Sequence, residues 1–182
     1  GLVVAVKGLG GFQLWVDAKS EEAVRRLRGR KRRLEKPFAV LFPSIDAIRD
    51  YCLLSSDEEA LLCSPQAPIV LARKRRDAGL ADAVATGNPY LGVMLPATPL
   101  HYLLMRSLGR PMVATSGNRS EEPIVTDERE ALVRLKGIAD ALLVEGKPLE
   151  VRATGPSEVE VVFPAPNPGL RLLDNLPIYP AH

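Results

Sequence analysis

Cysteine, histidine and aromatic side chains are scarce in these 182 residues: two Cys, two His and a 5% aromatic fraction with a single Trp. Cys52 and Cys63 form no C-x-x-C pair and have few imidazoles to join them. A thiolate metal site is unsupported, and both read as buried, reduced thiols, which suits the cytoplasm. No apolar run approaches the ~18 residues of a membrane span, which leaves no membrane partner. The chain has no initiator Met and no basic-then-apolar leader. It opens inside Leu2-Val3-Val4-Ala5-Val6, so it reads as an excised or processed piece of a longer protein. Sparse aromatics offer few platforms on which single-stranded nucleic acid would stack. Neither histidine sits beside a nucleophile: His101 falls between Leu100 and Leu103 on a helical pattern, and His182 ends the tail. A hydrolytic triad is therefore unsupported, and a site that works by positioning and charge stabilisation fits better.

What is present is ordinary in bulk: 46% apolar, 25% charged and a net charge of +2, which fits one globular domain. The charge is unevenly spread. Arg25, Arg26, Arg28, Arg30, Lys31, Arg32, Arg33 and Lys36 crowd one stretch, and Arg73 to Arg76 form a second knot that runs into Asp77-Ala78-Gly79. Each is either a solvated face or an attractor of anions, whether a triphosphate or a nucleic-acid backbone.

Short apolar runs alternate with helical patterns, which predicts an α/β domain. Strands are expected at 2–6, 12–16, 38–42, 68–72, 91–95, 111–115, 141–144 and 158–163. Helices are expected after the caps Ser20, Ser44, Ser55 (boxed with Glu58), Thr98 (with Pro99 first and Gly109 last) and Asp127 (boxed with Glu130 and stopped by Gly137). Gly29 should end or weaken the first helix, which would put Arg30 to Lys36 on a loop at the sheet edge. From Pro148 onward prolines break every longer element, so a domain over 1–163 with an edge strand at 158–163 and a Pro-rich tail over 164–182 is expected.

Three constellations can carry chemistry. Lys7-Gly8-Leu9-Gly10-Gly11-Phe12 lies between two apolar runs, where glycines let backbone N–H groups approach an anion and Lys7 adds charge; a tight turn with incidental glycines explains it equally. Lys31, Arg33 and Lys36 converge ahead of the buried run Phe38-Ala39-Val40-Leu41-Phe42, and such a group of cations suits a polyphosphate. Thr115-Ser116-Gly117-Asn118-Arg119-Ser120 leaves a strand with small hydroxyl and amide donors, which serve either a phosphate or a polar turn.

Taken in order, these stretches resemble one family. Val6-Lys7-Gly8-Leu9-Gly10-Gly11-Phe12, Arg30-Lys31-Arg32-Arg33 with Lys36-Pro37-Phe38-Ala39, Leu91-Gly92-Val93-Met94-Leu95-Pro96 with Thr98-Pro99-Leu100-His101, and Thr115-Ser116-Gly117-Asn118 with Ser120 and Glu122-Pro123-Ile124 are similar to the YrdC-like domain of the HypF hydrogenase-maturation carbamoyltransferases. The likeness runs from residue 1 to about 148. It implies a twisted, open mixed sheet of about seven strands, with helices packed around it and a basic concave face. It also implies a K-x-R element at Lys31 and Arg33 followed by Lys36, and an S-x-N element at Ser116 and Asn118 with Thr115 and Ser120 on the same loop. Lys7 and Gly10 would contribute to nucleotide binding, as would Ser157 and Arg171 late in the chain. Met94 stands where the threonylcarbamoyl-AMP branch of this group carries arginine, which favours the HypF branch. The family's H-x-R-P-I and D-D-S-V motifs are absent; Glu145-Gly146-Lys147-Pro148-Leu149 and Gly155-Pro156-Ser157-Glu158-Val159 stand in their place.

By resemblance, ATP with Mg²⁺ and a carbamoyl donor are the ligands, carbamoyl-AMP is the product, and Lys31 and Arg33 are the catalytic cations. Transfer to the cysteine of a HypE-like acceptor would need domains outside this chain. Three alternatives stand beside this reading: a threonylcarbamoyl-AMP synthase for tRNA modification, an RNA-binding module without chemistry, and a degenerate nucleotide-binding fragment.

Overall fold

The computed structural model describes residues 1–33, 35–76 and 79–143, and the backbone of three further strands at 150–153, 159–162 and 170–172. Its elements are β1 (Val4–Gly8), β2 (Gly11–Asp17), α1 (Glu21–Lys31), β3 (Ala39–Leu41), α2 (Ile45–Tyr51), β4 (Cys52–Leu53), α3 (Ser56–Leu62), β5 (Val70–Lys74), β6 (Tyr90–Met94), α4 (Pro99–Leu108), β7 (Met112–Ser116), α5 (Glu128–Arg134), β8 (Ala141–Leu143), β9 (Glu150–Ala153), β10 (Val159–Val162) and β11 (Leu170–Leu172). Among the described residues nine strands form one open sheet in the order β11-β8-β1-β2-β7-β3-β6-β5-β4. Two pairs, β1–β8 and β3–β6, are parallel and the rest antiparallel, so the sheet is mixed.

Each expected N-cap is in place, because the small polar side chain ahead of each helix accepts a first-turn N–H: Ser20 from Ala23, Ser44 from Ala47, Ser55 from Glu58, Thr98 from His101 and Asp127 from Glu130. The box closes at Ser55 and Glu58, whereas the Glu130 carboxylate accepts from Arg134 instead and α5 ends at Arg134, ahead of Gly137. Strand alternation then splits the apolar residues between two faces. Phe12, Leu14, Val16, Val40, Val93 and Val113 pack toward Val24 and Leu27 of α1. Val6, Trp15, Leu41, Met112 and Ala114 pack beneath Leu104, Met105 and Leu108 of α4.

All eight runs read as strands form strands, with differences beyond them. Among the described residues two strands add to those expected in the sheet, β4 and β11, which span two and three residues and leave no periodic signal. The 158–163 run forms β10, but it pairs with β9 in a separate two-stranded ladder, and the sheet edge is β11, from beyond residue 163. Of the two cysteines only Cys52 is buried; Cys63 caps the C-terminus of α3 at the surface. Gly29 does not end α1, which continues through Lys31 and closes on Arg32 in the left-handed region at φ 53°. A helical glycine costs ~1 kcal/mol. Here the bonds that Arg28 and Lys31 make on either side of it outweigh that cost.

Candidate functional site

One end of the sheet gathers the residues singled out above. There β1, β5 and β7 end while β2, β3 and β6 begin, so Lys7, Ser116, the residues just ahead of Ala39 and the end of β5 share an edge. Three backbone bonds lock its centre. Phe12 N–H donates to Val125 O at 2.8 Å, Gly117 N–H to Phe12 O at 2.6 Å and Val125 N–H to Gly117 O at 3.0 Å. The hairpin turn of β1–β2, the loop after β7 and the segment before α5 therefore move as one piece. Glycine is required where they cross. A Cβ on Gly11, whose φ is 124°, would lie 2.6 Å from Ile124 Cγ2 and 2.7 Å from Val125 O. Gly10, the glycine assigned to the nucleotide, has nothing within 4 Å of such a Cβ and occupies the exposed tip.

Lys31 and Asn118 meet although 87 positions separate them. The Lys31 ammonium donates to Ser116 O at 2.6 Å, Asn118 O at 2.8 Å and Asn118 Oδ1 at 2.9 Å. Ser116 Oγ donates to the same Oδ1 at 2.7 Å, and Ser120 Oγ donates to Lys31 O at 2.9 Å. Asn118 Nδ2 donates to Glu122 O at 2.5 Å, which ties the loop to the segment leading into α5. This corrects the sequence reading of Lys31. It is helical and 1% exposed rather than on a loop, and its ammonium donates to three oxygens of the 116–118 segment, so it shapes that loop. Burial, followed by the neighbouring Arg33 charge, pulls its pKa from 10.5 down to about 8.

The other cations differ. Arg33 donates through Nε to Lys36 O at 3.2 Å and through its second terminal nitrogen to Pro37 O at 2.7 Å, lying over the Phe38 ring. Burial lowers its pKa. Lys36 is exposed. Lys7 pairs with Glu128 at 3.3 Å and lies 5.6 Å from the Phe12 centroid, so part of its charge is already answered. Thr115, just buried, faces the side of the sheet opposite Ser116. Ser157 lies outside the described residues. Arg171 is placed only as a backbone position opposite Leu142 in β11.

Arg28 was missed as a functional candidate, since in sequence it is one of many arginines. Its guanidinium donates to Ala83 O at 2.5 Å and Val84 O at 3.2 Å, and to Arg33 O at 2.9 Å and Lys36 O at 3.1 Å, while stacking on Phe38. It thereby holds the basic loop against the 82–84 turn. No spacing in the sequence signals this.

His101 lies beneath the hairpin turn. It is 5% exposed, its ring tilts against Trp15 at 5.1 Å, its Nε2 has no hydrogen-bond partner among the described residues, and a Cβ on Gly8 would sit 3.6 Å from that atom. Burial lowers its pKa from the ordinary 6.5. As pH falls below 6.5 the unfolded chain takes up this proton before the folded one, so stability present above 6.5 is lost through that window. Urea unfolding at pH 7.5 and 5 is expected to show this acid loss in the wild type and a smaller one in His101→Phe; equal losses would refute it.

Among the described residues no group of three His, Cys, Asp or Glu could hold a metal ion, and no helix is long and apolar enough to cross a membrane.

The Sua5/YciO/YrdC family model, described as telomere recombination, matches residues 1–162. The carbamoyltransferase HypF of Synechocystis sp. is 46% identical over 166 residues, which cover 91% of this chain and 22% of that protein. The threonylcarbamoyl-AMP synthase of Vibrio cholerae is 29% identical over 87% of this chain and 85% of its own length. A crystal structure of full-length HypF in its phosphate- and nucleotide-bound form superposes with a TM-score of 0.75 at 50% identity, covering 78% of this chain and 19% of that one. The chain thus spans about one fifth of the HypF proteins it matches. On the family match and these identities, the chain belongs to the Sua5/YciO/YrdC family as a YrdC-like domain of the HypF kind.

Proposed function

We propose that this chain is the ATP-binding domain of a hydrogenase-maturation carbamoyltransferase and forms or holds carbamoyl-AMP for transfer to a partner cysteine. Kinship with HypF carbamoyltransferases and threonylcarbamoyl-AMP synthases supports a carbamoyl-transfer or ATP-utilising role. The observation that carries the reading is the junction of Lys31 with Ser116 and Asn118 at a sheet end that also presents Arg33 and Lys36. Carbamate oxygen would attack the α-phosphorus of ATP, forming the new P–O bond as the bond to diphosphate breaks. Arg33 and Lys36 would offset the charge building on the phosphates. Lys31 would act one step back, by fixing the loop whose Ser116 and Asn118 orient the nucleotide. Mg²⁺ suits this arrangement as a companion of the phosphate oxygens, since it commonly keeps its waters and binds through substrate phosphates. A HypE-like acceptor would be reached through domains beyond this chain.

A second reading, threonylcarbamoyl-AMP synthesis, draws on the Vibrio cholerae relative. Against it stands Met94, a neutral thioether packed with the α4 cluster where that branch carries arginine. Calorimetric titration of ATP and AMP is expected to show binding that Asn118→Ala weakens by at least about ten-fold. Unchanged affinity would sink the site. Diphosphate release with carbamoyl phosphate plus an acylphosphatase, compared with threonine plus bicarbonate, separates the two enzymes. Salt-dependent RNA binding unaffected by ATP would instead favour the RNA-binding reading.

A further inference from the structure

The same end of the sheet holds a concavity formed by residues that the nucleotide reading does not use. A cavity of about 280 Å³ lies between the end of β5, the segment 79–85 and the start of β6. Lys74 and Arg75 line it together with Asp82, and Leu80, Val84 and Leu91 supply an apolar wall. Both cations come from the basic run Arg73 to Arg76, and their contacts are to carbonyls: Lys74 Nζ donates to Ala85 O at 3.2 Å and Arg75 Nε to Arg49 O at 2.7 Å. Among the described residues neither forms an ion pair with a carboxylate. Carbonyl partners orient a cation without cancelling its charge, so among the described lining residues two positive charges, on Lys74 and Arg75, face the one negative charge of Asp82. The adjacent Cys52 thiol does not offset them, because burial pushes its pKa up to about 11 and keeps it neutral.

We propose that this cavity is a binding site for a compact phosphate anion of about diphosphate size. Size supports the class: sites for drug-sized ligands begin near 300 Å³, and this cavity falls just short of that. Cations of mixed type suit phosphate oxygens, the arginine through its fork and the lysine as a point charge. The cavity is also tied to the nucleotide loop. Arg28 bonds Ala83 O and Val84 O beside the cavity and Arg33 O and Lys36 O on the loop, so one guanidinium braces both. The anion is either the diphosphate end of a bound nucleotide or a separate phosphate. The site stands on the cavity and its cations, whichever ligand the loop 115–120 takes.

Calorimetric titration of inorganic diphosphate into the 182-residue chain at low salt tests this. The wild type is expected to bind, and the double variant Lys74→Gln/Arg75→Gln to bind at least about ten-fold more weakly. AMP affinity should stay unchanged in that variant, and the charge-conserving exchange Lys74→Arg/Arg75→Lys should restore diphosphate binding. Asn118→Ala should weaken AMP and leave diphosphate alone, which separates failure of this site from failure of the nucleotide site. Diphosphate binding retained in the ATP-saturated chain identifies a separate anion; binding lost there identifies the nucleotide's own diphosphate end. No diphosphate binding by the wild type overturns the proposal, as does undiminished binding by a folded Lys74→Gln/Arg75→Gln chain.

Discussion

Lys31→Met is expected to abolish nucleotide binding and to lower unfolding stability by about 3 kcal/mol, as the loss of one charged donor leaves three half-buried acceptors short. Ser116 O, Asn118 O and Asn118 Oδ1 all converge on the ammonium, and the residue is 1% exposed, so water is poorly placed to substitute. Methionine matches the stem but donates nothing. Removing a buried charge offsets part of the loss, which is why the figure stays near 3 rather than at the sum of three bonds. Lys31→Arg is expected to fail as well, because a planar guanidinium does not reproduce three donors radiating from one nitrogen. Urea unfolding and AMP calorimetry check both variants, and wild-type values in Lys31→Met would refute the cradle.

The pH dependence of this pair has a definite sign. The folded pKa is about 8 and the ordinary value is 10.5, so between them the unfolded chain binds the proton that the folded chain has released. Stability from this group therefore rises with pH across that window, and below pH 8 the full cost of burying the charge is present. The wild type should gain on Lys31→Met as pH is raised from 8 toward 10.5.

Local signals in the sequence were reliable where they rest on local physics. Caps at Ser20, Ser44, Ser55, Thr98 and Asp127 are decided by a side chain and an N–H three residues on, so each helix start was legible. Buried strands such as Met112–Ser116 declare themselves by continuous apolar runs. Elements of two or three residues, β4 and β11, have no period to read and exist because a neighbour supplies the ladder. The site was legible as a set of motifs but not as roles. Lys31 and Lys36 look alike in the chain, yet one is buried under Asn118 and the other is exposed. Helix phase decides this, and Gly29 misled by suggesting that the helix had already ended. Arg28 was invisible for a related reason: its four carbonyl partners belong to segments 5 to 56 residues away.

Gly117→Ala is expected to cost about 3–4 kcal/mol, more than the usual penalty for one extra methyl in a packed interior. The added Cβ would lie 2.6 Å from both Phe12 Cβ and Phe12 O and 2.8 Å from Phe12 C. These atoms cannot swing aside. Phe12 is fully buried, sits in the second position of β2 and is bonded through its N–H to Val125 O, so relief requires parting the strands. That parting breaks the 2.6 Å bond from Gly117 N–H to Phe12 O, the link that joins the hairpin turn to the loop of Ser116 and Asn118. Nucleotide affinity should fall with it, although no polar side chain has been removed. Gly10→Ala provides the contrast. Its Cβ would meet nothing within 4 Å, so stability should change by less than about 0.5 kcal/mol. If the two alanine variants unfold at the same denaturant midpoint, then the crossing of Phe12, Gly117 and Val125 does not hold the site together. If Gly117→Ala alone loses both stability and AMP binding, the glycine that the anion-loop argument overlooked is the one on which that loop depends.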